Sequence, residues 1–329
     1  MRHRLPPDQY ATGILAGNRL LLSQAITLIE SRRADDQVLA QQVLERILPN
    51  TGKSARIGIT GVPGVGKSTF IESFGTYLTS QGHTLAVLTV DPTSQRSGGS
   101  LLGDKTRMET LSMNPNAYIR PSPAGDSLGG VAHRTRETML LCEAAGFDII
   151  LVETVGVGQS ETVVHGMVDF FLLLMLAGAG DELQGMKRGI MELADALAIT
   201  KADGTNEAAA NRARVEYQNA LHLFPPTGTG WFPPVLTCSA VTADGITAIW
   251  QTIQAHQALT TQNGHRAHRR QEQQLSWFRS LLRQRLESRF YEQPGIRTQL
   301  SIIEEQVRTG TLLPAPAADR LLHYSSGNQ

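Results

Sequence analysis

Between residues 7 and 48 apolar residues recur every three or four positions: Leu15, Leu20, Leu22, Ile26 and Ile29, then Val38, Val43, Leu44 and Ile47. That period predicts two amphipathic helices, with the polar stretch SRRADD at 31–36 as the turn between them. Pro49-Asn50-Thr51-Gly52 ends the hairpin. The pattern then changes. RIGIT (56–60), TLAVLTV (84–90), FDIILV (147–152), the run 168–176, ADALAI (194–199) and residues 235–238 are short apolar runs, the mark of strands buried on both faces. Residues 117–120 are a further, shorter candidate. Helical segments at 69–80, 130–145, 207–223 and 245–259 fall between or after these strands, with Gly82 stopping the first. Strands alternating with helices predict an α/β fold built on a mostly parallel, doubly wound sheet. After His265 the composition shifts to Arg and Gln. Leu275, Phe278, Leu281, Leu282, Leu286 and Phe290 form an apolar stripe on a helix that Pro294-Gly295 closes, and further helices are expected at 297–308 and 317–324. The basic cluster His268-Arg269-Arg270 reads as a solvated helix face. No internal repeat or low-complexity tract interrupts the chain.

Between the first strand and the helix after it lies Gly61-Val62-Pro63-Gly64-Val65-Gly66-Lys67-Ser68, followed by Thr69. It fits G-x-x-x-x-G-K-[ST], and the strand–turn–helix context that gives this motif its meaning is present. Glycines allow backbone N–H groups close to phosphates, and the helix start adds partial positive charge. Lys67 is placed to reach the β- and γ-phosphates and Ser68 to ligate Mg²⁺. The fold is therefore expected to be a P-loop NTPase with helical N- and C-terminal extensions: residues 1–52, a nucleotide domain at 53–262, and a tail at 263–329 suited to oligomerisation.

Strand ends carry the other candidates. Asp91 follows the second strand and Asp104 lies across a loop rich in glycine and serine, which together read as a switch segment holding a metal-bound water. Glu153 ends the strand at 147–152, the position from which triphosphatases hold Mg²⁺ or its water, and Gly156 leaves a backbone N–H free to meet a γ-phosphate. Gln159 could orient water, but the reading favoured is a solvent-facing loop glutamine. Residues 177–189 (AGAGDELQGMKRG) form a glycine-punctuated loop with Asp181, Glu182, Lys187 and Arg188. Thr200-Lys201-Ala202-Asp203 matches N-K-x-D except at its first residue. Asp203 would accept from the guanine N1–H and amine, the Lys201 stem would pack along the base, and a backbone N–H at Ser239-Ala240 would meet the guanine carbonyl. The expected ligand is GTP or GDP.

Composition narrows the setting. Hydrophobic residues are 41% and charged residues 18% of 329, as for a packed core. Thirty basic and thirty acidic residues cancel, which gives no support to nucleic acid or a membrane surface as partner. Cys142 and Cys238 are far apart, so neither a disulfide framework nor a zinc site is suggested. Arg2 and Arg4 are not followed by an apolar signal region, and the expected location is cytoplasmic.

Taken together, GVPGVGKS (61–68), DPTSQRSGGSLLGDKTRM (91–108), ETVGVGQSE (153–161), AGAGDELQGMKRG (177–189), TKADG (200–204) and CSA (238–240) resemble the MeaB/ArgK family, bacterial relatives of the human methylmalonic aciduria type A protein. The likeness is strong from residue 15 to about 259. The long switch segment and ETVGVGQSE are its most specific parts. It implies a homodimeric GTPase that acts as a G-protein chaperone for an adenosylcobalamin-dependent acyl-CoA mutase, usually methylmalonyl-CoA mutase, gating cofactor delivery and protecting the enzyme. By the resemblance Asp91, Asp104 and Glu153 are the magnesium-associated carboxylates, while Asp181 and Lys187 sit in a third switch that responds to the mutase. Thr200 departs from the family's usual Asn, which touches nucleotide affinity more than nucleotide identity. Two other readings stand beside this one. A GTPase for nickel-enzyme maturation would usually carry a Cys/His cluster, which two remote cysteines do not supply. A small-molecule kinase would need an acceptor pocket for which no signature is present.

Overall fold

The computed structural model describes residues 4–90, 108–121, 128–154, 160–178, 188–224 and 228–326. They fall into two compact units, residues 1–271 and 272–329. The first is built on seven parallel strands: β1 (Ala55–Gly61), β2 (Leu85–Val90), β3 (Ala117–Pro121), β4 (Ile149–Thr154), β5 (Phe170–Leu176), β6 (Ala196–Thr200) and β7 (Val235–Thr237). Their order across the sheet is β3-β2-β4-β1-β5-β6-β7, with every pairing parallel. The short run at 117–120 is thus a true edge strand.

Strand side chains alternate between two cores, as a period of two requires. Leu85 and Val87 of β2 and Ile149 and Leu151 of β4 join one cluster; Ala86, Leu88, Val90, Ile150 and Val152 join the other. The first face is covered by α4 (Lys67–Ser80), α9 (Glu207–Leu221) and α10 (Ile246–Gln262), through residues such as Phe70, Phe74, Tyr217 and Ile249. The second is covered by α6 (Leu128–Ala144) and three N-terminal helices, α1 (Pro7–Leu15), α2 (Arg19–Glu30) and α3 (Ala34–Ile47). Ile14, Ile26, Leu28 and Ile47 are fully buried there, each contributing on the order of 1.5–3 kcal/mol through apolar burial.

Residues 7–48 thus make three helices, not the expected two. Gly17 has φ of 74°, which ends α1. Asn18 then starts α2 as its N-cap, its Oδ1 accepting from Leu20 N and Leu21 N at 3.0 and 3.1 Å. Short helices α5 (Glu109–Met113), α7 (Ser160–His165) and α8 (Arg188–Leu193) lie where the sequence pattern names no helix. Five or six residues carry too little periodicity to announce a helix.

The basic cluster at 268–270 also needs correction. α11 (His265–Glu292) begins inside the first unit, and Arg269 and Arg270 are largely buried, not solvated. Asp169 accepts from Arg56 N at 3.0 Å and from Arg270 Nε and Nη2 at 2.7 and 2.6 Å. Asp195 accepts from Phe171 N at 2.8 Å and from Arg269 Nη1 at 3.3 Å. Both carboxylates therefore join a strand-edge amide to a guanidinium of α11. The cations were recruited by acids more than seventy positions away, which a local reading of charge does not register.

The second unit has its own small core. Ile296 and Ile303 of α12 (Pro294–Arg308) meet Ala317 and Leu321 of α13 (Pro314–Ser326), with Phe290, Leu300 and Leu312 beside them. On α11, Leu275, Phe278, Leu282 and Leu286 are exposed at spacings of three and four. Among the described residues no helix is long and apolar enough to cross a membrane.

Candidate nucleotide-binding site

The sheet order reverses around β1, and in such sheets ligands bind outside the carboxyl ends of the strands at that point. Register brings the candidates there. Ile59 pairs with Glu153 across β1 and β4, and Gly61 pairs with Leu174 across β1 and β5. The phosphate loop, the acidic strand end and the start of the 177–189 segment therefore leave the sheet side by side.

Within the loop, the backbone and its contacts set out each residue's place. At Gly61 a Cβ would sit 2.5 Å from Leu174 O, so no side chain fits. Gly66 has φ of 94° and forms the left-handed entry to α4. Pro63, Gly64 and Thr69 are exposed, and Val65 is buried as the loop's apolar anchor. The Lys67 ammonium donates to Gly61 O at 2.8 Å and Val62 O at 3.3 Å. Burial pushes its pKa down, while the negative charges of Glu153 and then Glu161 hold it up. Such a cation is poised for phosphate oxygens. Ser68 Oγ donates to Glu153 Oε1 at 3.3 Å, and Glu153 is only 4% exposed. Beneath them the buried hydroxyls of Thr60 and Thr154 meet at 2.8 Å, tying β1 to β4.

The donor set fits Mg²⁺. A hydroxyl and a carboxylate at one strand end are hard oxygen ligands. Mg²⁺ is usually held by one or two carboxylates together with substrate phosphates, not by an all-protein cage. Among the described residues no three His, Cys, Asp or Glu gather into such a cage.

The base side is assembled from three segments. Thr200 ends β6, and its hydroxyl donates to Val65 O at 2.8 Å, with Met175 O at 3.2 Å as the alternative acceptor. Threonine thus ties the base loop to the phosphate loop across 135 positions. Lys201 has φ of 56° and its ammonium reaches Gly64 O at 3.0 Å, laying its stem over the loop. Asp203 Oδ2 accepts from the Ser239 hydroxyl in a short hydrogen bond, and that hydroxyl also accepts from Val241 N and Thr242 N at 3.2 Å. Ala240 follows directly. Ala202 N donates to Cys238 O at 3.0 Å, which joins the two loops.

The structure therefore brings together Gly61–Thr69, Glu153, Thr200, Lys201, Asp203, Ser239 and Ala240. Asp91, Asp104, Gly156, Asp181 and Lys187 lie outside the described residues, as does Gln159. Glu161 is the residue that motif reading passed over. It is 1% exposed in the first turn of α7 and acts electrostatically on Lys67. An acid closing the ETVGVGQSE motif was visible, but its burial was not.

Comparison with known proteins agrees with this geometry. The family model described as methylmalonyl-CoA mutase-associated GTPase MeaB matches residues 22–295. A relative from Caulobacter vibrioides bearing a GTPase name is 55% identical over 315 residues, 96% of each chain. A mouse protein named methylmalonic aciduria type A homolog, mitochondrial, is 48% identical over 96% of this chain and 78% of its own. The crystal structure of a protein named LAO/AO transport system kinase superposes with a TM-score of 0.78 at 36% identity, covering 99% of both chains. With a P-loop site at the sheet's switch point and the family model matched over residues 22–295, the chain is a GTPase of the MeaB family.

Proposed function

We propose that this GTPase is a chaperone of an adenosylcobalamin-dependent acyl-CoA mutase, with methylmalonyl-CoA mutase as the first candidate client, and that it gates cofactor delivery and protects the enzyme. The observation that carries the reading is the family match over residues 22–295, whose description names that mutase. The mouse relative's name points the same way. The proposed setting is the cytoplasm and the proposed form a homodimer, supported by the exposed apolar stripe on α11.

In this reading Ser68 and Glu153 would hold Mg²⁺, joined by Asp91 and Asp104 from the segment after β2. Bound there, Mg²⁺ supplies charge neutralisation at the β- and γ-phosphates. Lys67 and the loop N–H groups position the triphosphate, with the Gly156 N–H on the γ-phosphate, and water is the nucleophile. In sequence the 177–189 segment follows β5, whose end lies beside the phosphate loop. Its glycines make it costly to order unaided. Docking of the mutase would bring Lys187 or Asp181 toward the γ-phosphate, a charge-stabilising finger that acts only on the complex.

The test is phosphate release with and without candidate mutases. GTP hydrolysis should be slow alone and much faster with the client. Lys187→Ala should keep the slow rate and lose most of the acceleration. If no mutase binds or stimulates the protein, the chaperone reading fails; normal acceleration of Lys187→Ala defeats only the finger. Because the superposed relative carries a kinase name, phosphoryl transfer to another acceptor is the competing reading. Free phosphate appearing in step with GDP separates the two.

A further inference from the structure

We propose that this chain reads guanine without a direct side-chain hydrogen bond to N7, and that Thr200 decides this. Its hydroxyl is buried, 5% exposed, and both acceptors within reach are backbone carbonyls: Val65 O in the phosphate loop at 2.8 Å and Met175 O in β5 at 3.2 Å. A hydroxyl has one proton to give. An asparagine at the first position of N-K-x-D has an amide with two, so it can hold the phosphate loop with one and offer the other to the base. Threonine keeps the first bond and lacks the second.

Guanine offers N1–H and an amine as donors, and O6 and N7 as acceptors. Asp203 answers the donors, and a backbone N–H beside Ala240 answers O6. Lys201, Asn206 and Ser239 are each anchored on a protein acceptor; the hydroxyl has no further proton, while the ammonium and the amide keep spare N–H groups turned to those anchors' surroundings. Lys201 Nζ reaches Gly64 O at 3.0 Å, Asn206 Nδ2 reaches Lys201 O at 2.7 Å, and the Ser239 hydroxyl is on Asp203. Thr200, its one proton spent on the backbone, has none for N7, and on this proposal that acceptor is left to solvent. Discrimination against adenine then rests on Asp203, positioned by Ser239, and guanine nucleotides altered at N7 are accepted as substrates.

The experiment is competition of GTP and 7-deaza-GTP, with Mg²⁺, against a fluorescent GDP analogue on the full chain. The unaltered protein should bind the two within about twofold of each other. Thr200→Asn should prefer GTP over 7-deaza-GTP by roughly three- to tenfold, the value of one net hydrogen bond. Thr200→Val, which removes the hydroxyl at nearly constant shape, should weaken both nucleotides by the same factor. A threefold or larger preference for GTP in the unaltered protein would mean that a donor reaches N7, and the proposal fails. It fails equally if Thr200→Asn treats the two alike, or if Thr200→Val loses affinity for GTP alone.

Discussion

Arg270→Ala should destabilise the first unit by about 3 kcal/mol at neutral pH. The side chain is 16% exposed and its partner Asp169 is 10% exposed. The guanidinium makes two bonds to the carboxylate, at 2.7 and 2.6 Å, and another to Ser54 O at 2.7 Å. Removing one partner of a buried ion pair typically costs about 3–5 kcal/mol, because the other charge is left in a poor medium. Asp169 would keep Arg56 N at 3.0 Å and Arg266 Nη2 at 3.3 Å, which places the loss at the low end. The sign of the pH dependence follows from the carboxyl itself. Burial alone would raise its pKa, but Arg270, then Arg266 and the Arg56 amide, outweigh that and hold it below the ordinary value. A depressed carboxyl stabilises the fold above its unfolded pKa, about 3.9, and loses that contribution as pH falls through the folded value. The difference between Arg270→Ala and the unaltered protein should therefore be largest near neutrality and shrink in acid. Urea titrations followed by tryptophan fluorescence measure it; Trp231, which donates to Asp195 O at 2.8 Å, lies in the same network. A neutral-pH difference under about 0.5 kcal/mol, the range of ordinary surface changes, would refute the buried-clamp argument.

Other outcomes follow from the nucleotide site and the tail. Asp203→Asn should weaken GTP by about 1.5–3 kcal/mol, the worth of charge-assisted hydrogen bonds, and shift preference toward xanthosine triphosphate; calorimetry with unchanged GTP affinity would remove Asp203 from the base. Glu161→Gln should lower the Lys67 pKa further, since Glu161 now supports the cation against burial. GTP affinity measured between about pH 7 and 10 should then fall off at lower pH than in the unaltered protein, and superimposed profiles would sever the link. If the proposed homodimer forms through α11, Phe278→Glu, at a position 61% exposed within its stripe, should turn that dimer into a monomer in sedimentation without unfolding the chain; a persistent dimer would place the interface elsewhere.

By itself the sequence determined the parts whose chemistry is local. GVPGVGKS needs only its own backbone to be a phosphate loop, because glycine conformations and a helix start make the anion cradle. The apolar runs announced their strands, since strands buried on both faces tolerate few polar residues, and TKADG carried its candidate specificity carboxylate, Asp203, in plain view. Tertiary structure decided what depends on partners far along the chain. Whether residues 7–48 pack as core could not be read from their period, which is the same for a helix on a sheet and a helix awaiting a partner. The arginines of α11 looked solvated until Asp169 and Asp195 arrived from two strand edges. Glu161 stood in the sequence only as the last residue of ETVGVGQSE until burial set it against Lys67. Thr200 read as a lost asparagine, and only the approach of Val65 O showed that its hydroxyl keeps the loop tied. In each case the local pattern records a side chain's polarity, while its role is set by the distance and charge of a residue many positions away, and only the folded chain fixes those.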